Sequence, residues 1–311
     1  MNTRHLLTVH DLSTEEIQDI LNRSQQIKEK ADRKKPYLPL AGKTIGLYFE
    51  KWSTRTRISF EVGAFQLGGH SLFISTEEIQ LNRGETVADT AKVLSRYLDG
   101  IVIRTYHQRH LEEWARAASI PVINGLTDLH HPCQAISDLF TILEKRGRLQ
   151  QLKLAYIGDG NNVAHSLVEG AVLVGMNINL ACPKGYEPNE GILERAQQEA
   201  KRKNVRIELF KNPKEAVREA DILYTDVWTS MGQESEQDER KKVFQDYCIN
   251  RDLLEATQNK EVLVMHCLPA HRGEEITNEV MEGPFSIILD QAENRLHAQK
   301  AILDFFLGGP H

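Results

Sequence analysis

Paired cysteines are missing from this sequence. Cys133, Cys182, Cys248 and Cys267 are widely spaced, and none belongs to a C-x-x-C pair. That excludes a disulfide framework and fits thiols kept in a reducing compartment, so the expected location is the cytoplasm. No apolar run reaches the roughly 18 residues of a membrane span, so no membrane partner is expected. The N-terminal "MNTRHLLTVHDLSTEEI" lacks the apolar core of a signal peptide. No block of Lys or Arg dominates, and the net charge of −6 argues against general nucleic-acid binding. Internal repeats, low-complexity segments and a G-x-x-x-x-G-K-S/T phosphate loop are also absent.

What remains is an ordinary globular composition, with 41% hydrophobic and 26% charged residues over 311 positions. That length suggests two domains of about 150 residues. "KTIGLYF" (43–49), "GIVIR" (100–104) and "PVING" (121–125) read as strands. "TRTRISFEVGAFQL", "ETVADTAKVLSRYL" and "HPCQAISDLFTILEKRG" read as helices between or after them. In the second half, strand candidates are 152–158, 177–182, 205–210, 221–226, 262–267 and 286–290, with helical patterns between most of them. Strands alternating with helices imply parallel sheets covered on both faces. The expectation is two α/β domains, 1–147 and 148–311, with a helix at about 293–307 crossing back to the first. Ligands of such sheets sit beyond the carboxyl ends of the strands, where Arg104, Gly158, Asp226 and Cys267 fall.

"EKWSTRTRISFEVG" (50–63) puts two arginines where a strand hands over to a helix. The first turn of a helix offers unpaired backbone N–H groups and the positive end of the helix dipole. Ser53, Thr54 and Thr56 add hydroxyls, and Arg55 a bidentate fork suited to phosphate. Arg57, two residues on, points elsewhere and reads as a structural ion-pair partner. By local physics alone, the stretch fits an anion cradle or an ordinary N-cap followed by surface arginines.

Other segments carry their own alternatives. "GDGNN" (158–162) follows a strand and precedes a helix, but Val163 stands where a dinucleotide fingerprint needs its third glycine. No acid ends the next strand to hold a ribose. His131 precedes Pro132 at a helix start, where the dipole favours a neutral imidazole. Cys133 reads as a packing residue. Asp226 ends a strand and suits an ammonium partner, or caps a loop. His266 and Cys267 are adjacent, so strand alternation should point them to opposite faces. That, and the lack of zinc-ligand spacing, speaks against a metal site. A cysteine-hydrolase reading would need a base, for which His271 is the candidate.

Taken together, "STRTR" with "SFEVGAFQLGG", then "HHPCQAISDL", "GDGNN", "DVWTSMGQE", "HCLPAHRGEE" and "AENRLHAQKA", resemble in order the motifs of the aspartate and ornithine carbamoyltransferases. "SMG" and "HCLPAHRGEE" resemble the ornithine branch. The resemblance covers nearly the whole chain. It implies transfer of the carbamoyl group of carbamoyl phosphate to the δ-amine of L-ornithine, giving citrulline and phosphate in arginine metabolism. It implies an active site in the cleft between the two domains, no cofactor, and a homotrimer or multiple of trimers.

Carried over residue by residue, it places Ser53, Thr54, Arg55, Thr56, Arg104, His131, Gln134 and Arg295 on carbamoyl phosphate. Gln80 joins them from a loop reaching a neighbouring subunit. Cys267 touches the carbamoyl group and the amine, and Leu268 contributes backbone. Asn162, Asp226, Ser230 and Met231 fall to ornithine. The catalytic set is then Arg55, Arg104, His131, Asp226 and Cys267. Three guanidinium groups repel one another, so carbamoyl phosphate is expected to bind first. Trp52 departs from the smaller residue or proline usual beside the cradle. The rivals are a sister enzyme acting on putrescine or N-acetylornithine, a nicotinamide oxidoreductase, and a catalytically silent paralogue. An acylated acceptor would not need Asp226, and one lacking the carboxylate would not need Asn162.

Overall fold

The computed structural model describes residues 3–75 and 84–308. Two compact units emerge: one runs to Phe140 and takes up the chain again at Asn294, the other is Thr141–Glu293.

The first unit is built on strands β1 (Thr44–Phe49), β2 (His70–Ser75), β3 (Gly100–Arg104) and β4 (Val122–Leu126). All pair in parallel, in the order β2-β1-β3-β4. β1 and β3 are continuous apolar runs, nearly every residue of which is buried, as a sheet covered on both faces requires. Its helices are α1 (Thr14–Asp32), α2 (Thr54–Gln66), α3 (Val87–Leu94), α4 (Gln108–Ala117) and the start of α5 (Pro132–Arg146). α1 opens on a capping box, with the Glu16 N–H donating to Ser13 Oγ and the Ser13 N–H to the Glu16 carboxylate.

The second unit carries α6 (Asn162–Val174), α7 (Glu190–Lys203), α8 (Pro213–Ala216), α9 (Gln237–Phe244), α10 (Arg251–Ala256) and α11 (Asn278–Met281). Its strands β5 (Lys153–Ile157), β6 (Asn177–Ala181), β7 (Ile207–Phe210), β8 (Ile222–Thr225) and β9 (Leu263–His266) form a parallel sheet ordered β7-β6-β5-β8-β9. The last helix, α12 (Ile288–Leu307), belongs to the first unit from Asn294. There Asp304 accepts from Arg23 at 2.9 Å and from the Tyr37 hydroxyl at 3.0 Å. A Cβ on Gly100 would lie 2.6 Å from a Leu307 methyl, so the glycine lets the helix end pack onto the start of β3 without that side chain having to move.

The expected α/β class with parallel sheets is what the chain adopts. Two local readings change. "SIILD" (286–290) is not a strand: Ser286 makes a single bridge to Val264 and the helix begins at Ile288. A short apolar run cannot by itself separate strand from buried helix start. Conversely, β2 escaped notice because it is an edge strand, exposed or half-buried along its length, with an apolar run of only three residues, Leu72 to Ile74.

Both sheets reverse strand order beside their first strand, between β1 and β3 and between β5 and β8. The crevice beyond the carboxyl ends at such a point is where open sheets bind ligands. Residues 50–53 and Arg104 leave the first reversal; Gly158–Asn162 and Asp226 leave the second.

Candidate active site

In the first unit, Ser53 caps α2, its hydroxyl accepting from the Thr56 N–H at 3.3 Å. Thr54, Arg55 and Thr56 form the first turn. Register sets Phe49 beside Arg104, so the cradle and the end of β3 are neighbours. Arg295 of α12 is buried; its guanidinium donates to Thr56 Oγ1 at 3.3 Å, Gln134 Oε1 at 2.5 Å and Gln299 Oε1 at 2.9 Å. Gln134 in turn donates to Asp138 at 2.8 Å. Its carbonyl oxygen keeps a second lone pair for an amide N–H.

Arg104 is 7% exposed. Burial, then the charges of Arg295 and Arg55, lower its pKa to about 10, with Asp128 opposing. Its Nε is buried with no hydrogen-bond partner among the described residues. A buried unpaired donor is costly, and a ligand oxygen would relieve it. His131 is buried as the residue before α5. Burial first, then the charges of Arg295, Arg104 and Arg55, hold its pKa well below 6.5. The neutral ring expected from the helix dipole is thus imposed mainly by burial and by the arginines.

In the second unit, Asn161 caps α6: its Oδ1 accepts from Val163 and Ala164 N–H at 3.0 and 3.2 Å, and its Nδ2 donates to Asp226 Oδ2 at 2.8 Å. Asp226 Oδ1 accepts from the Val227 N–H at 2.8 Å and from the Cys267 thiol at 2.9 Å. Asp226 is buried and Cys267 half-buried. Asp159 and the 226–231 loop are tied together by Arg240, which donates to Asp159 Oδ2 at 3.1 Å and to the Trp228 carbonyl at 2.9 Å. Burial pushes the Asp159 carboxyl up to about 6 against the pull of Arg240, with Asp226 and Glu236 adding to the rise. The Ser230 N–H donates to Gln233 at 3.1 Å, and Met231 is exposed.

Residues 4–144 match the family model described as the carbamoyl-P binding domain of aspartate/ornithine carbamoyltransferase, and residues 150–306 the model of its Asp/Orn binding domain. The chain belongs to the aspartate/ornithine carbamoyltransferase family. An ornithine carbamoyltransferase of Syntrophus aciditrophicus is 54% identical over 304 residues, covering 98% of this chain and 99% of that one. One from Thermococcus kodakarensis is 50% identical over 306 residues, with 98% and 97% covered. The solved ornithine carbamoyltransferase of Pyrococcus furiosus superposes with a TM-score of 0.95 at 49% identity, over 99% of this chain and 98% of that one.

Within the aspartate/ornithine carbamoyltransferase frame, the structure gathers Ser53, Thr54, Arg55, Thr56, Arg104, His131, Gln134 and Arg295 in one unit. It brings Asp226 and Cys267 together in the other. Asn162 is the first residue of α6 and Leu268 directly follows Cys267. Gln80 lies outside the described residues. Arg57 pairs with Glu61 at 2.8 Å and stacks on Phe73, as expected of a structural ion pair. Cys133 is buried with its thiol donating to the Asn124 carbonyl at 3.3 Å, a packing role; burial raises its pKa to about 12.

Sequence reasoning missed Asn161, Arg240 and the buried Lys51, whose ammonium pairs with Asp128. The first was visible as an N-cap asparagine; the other two had no sequence signal. The expectation that His266 and Cys267 face apart is also wrong. β9 ends at His266, Leu268 turns with φ 59°, and ligand atoms of Asp226, His266 and Cys267 lie within 4.8 Å of one another. Both His266 ring nitrogens are engaged, however: Nδ1 accepts from the Leu268 N–H at 2.8 Å and Nε2 lies 3.0 Å from Glu275. No ring lone pair is left for a metal. The nicotinamide reading also weakens, because the N–H groups a pyrophosphate would use at α6 are taken by the Asn161 cap, and Gly160 is packed against Glu187 and Pro188.

Proposed function

We propose that this chain transfers the carbamoyl group of carbamoyl phosphate to the δ-amine of L-ornithine, giving L-citrulline and phosphate. The observation that carries the reading is the convergence of Arg55, Arg104 and Arg295 on a neutral, buried His131. Such a set suits a phosphate dianion joined to a carbonyl. Arg55 and the first turn of α2 hold the phosphate, and Arg104 and Arg295 bridge phosphate and carbonyl oxygen. The His131 ring N–H adds a donor to the oxyanion that develops there.

In the second unit, Asp226 orients the acceptor's ammonium groups, and Asn162, Ser230 and Met231 its α-amino acid end. Cys267 and the Leu268 backbone meet the carbamoyl group and amine. The deprotonated δ-nitrogen attacks the carbonyl carbon, the bond to the phosphate oxygen breaks, and the nitrogen's second proton leaves as the amide forms. Mutual repulsion of the arginines supports binding of carbamoyl phosphate before ornithine.

The names of the relatives support ornithine as the acceptor, and Asp226 has no counterpart need in an N-acylated one. A homotrimer is supported by exposed Ile58 and Phe65, seven apart on one face of α2, and by exposed Trp52 nearby in sequence. A cytoplasmic location is supported by cysteines that carry thiols rather than disulfides; no described helix is long and apolar enough to cross a membrane. Citrulline-type product formation with ornithine, putrescine and N-acetylornithine in parallel tests the acceptor. Ornithine is expected to have by far the highest kcat/KM, and equal or better use of either rival would overturn the assignment.

A further inference from the structure

Behind Cys267 lie two fully buried groups with no part in the chemistry above, His266 and Glu275. His266 Nδ1 accepts from the Leu268 N–H, so the ring proton sits on Nε2 and donates to Glu275 Oε1 at 3.0 Å. The same Oε1 accepts from the His271 backbone N–H at 2.6 Å. The His266 N–H donates to Gln291 Oε1 at 2.8 Å, and Gln291 donates to the Tyr224 hydroxyl at 3.1 Å.

One carboxylate oxygen therefore ties together the two ends of the turn 266–271. The other oxygen, Oε2, is buried without a hydrogen bond among the described residues, 3.8 Å from His271 Nδ1. Between the two anchors Leu268 holds φ 59°, a conformation a branched side chain keeps only where its surroundings enforce it. Were His266 to turn its ring or take the other tautomer, the Leu268 N–H would lose its acceptor and the turn its restraint.

We propose that Glu275 is a positioning residue, fixing through the His266 tautomer the turn that sets Cys267 against Asp226 and presents the Leu268 backbone. The role deepens the carbamoyl-transfer reading and rests on its placing that turn at the reacting groups.

Glu275→Gln and Glu275→Ala, each checked by thermal melting, separate this from packing alone. Gln keeps the accepting Oε1 and replaces only the unpartnered oxygen; Ala removes both anchors. The expected result is kcat within about threefold of the unsubstituted enzyme for Gln and about a hundredfold lower for Ala. Inorganic phosphate, a probe of the arginine cradle in the other unit, should keep its inhibition constant in both. Cys267 alkylation by iodoacetamide, read by peptide mass spectrometry, should be unchanged for Gln and at least about tenfold altered for Ala.

An Ala variant that matches the unsubstituted enzyme in both kcat and alkylation overturns the proposal. So does a natively melting Gln variant whose kcat falls as far as that of Ala. If Ala does not fold, the Gln result decides alone. Alkylation needs no turnover, so an unsubstituted enzyme that forms no citrulline would sink the functional reading without touching this measurement.

Discussion

Each site residue is tuned by its immediate neighbours. His131 illustrates the sign. Its folded pKa lies well below 6.5, whereas the unfolded chain titrates near about 6.5. Below that value the unfolded state binds the extra proton, so the stability contributed by a neutral His131 is present above about pH 6.5 and is lost as pH falls through it. An NMR titration should find the His131 ring signals flat from pH 8 to about 6, and Arg104→Gln should raise the midpoint by removing a nearby positive charge. Arg295→Lys keeps the charge and loses the fork that reaches Thr56, Gln134 and Gln299. Steady-state kinetics should show the KM for carbamoyl phosphate rising on the order of tenfold to a hundredfold, matching one or two lost charge-assisted hydrogen bonds.

Elements matter here chiefly through their ends. Ser53→Ala removes the cap of α2, and chemical denaturation should show a loss of about 1 kcal/mol. Gly160 is different in kind: a Cβ there would lie 2.3 Å from the Pro188 backbone nitrogen and 2.5 Å from the Glu187 carbonyl carbon. Backbone cannot yield as a side-chain tip does, so Gly160→Ala should lower the melting temperature by several degrees and weaken ornithine use, since Asn161 and Asn162 follow directly. Arg240 joins the turn after β5 to the loop after β8. Arg240→Ala should raise the KM for ornithine more than that for carbamoyl phosphate, because the cradle lies in the other unit. A KM for carbamoyl phosphate that moved equally would show the loop to be misassigned.

For the whole molecule, the repeated plan matters most. Two parallel sheets each reverse strand order at their first strand, and each puts its polar groups at that reversal. One gathers the guanidinium groups of Arg55, Arg104 and Arg295, the other the Asp226 carboxylate and the Cys267 thiol. Sedimentation should give three times the chain mass of 35.4 kDa or a multiple of it. Phe65→Glu, placing a charge at a site 79% exposed in the single chain, should shift the population toward smaller species. An unchanged distribution would remove α2 from the subunit contact.

The strand runs, the capped first turn at Ser53 and the ordered motifs were legible in sequence because hydrophobic period, caps and strand ends are local properties. β2 was not, since an edge strand has no buried run to declare it, and the helix start at Ile288 hid behind two isoleucines that fit either structure. The motif resemblance could name Arg55, Arg104 and Arg295, but not show that Arg295, a helix residue that by itself reads as solvated, is buried beside Thr56 and Gln134. The depressed pKa values of Arg104 and His131, the Asn161–Asp226–Cys267 chain and the Glu275–His266 pair all join residues far apart in the chain or past the end of a regular strand. Sequence determines which side chains are available and which elements form. Only packing decides which of them lose their water and face one another, and that loss gives the site its electrostatics.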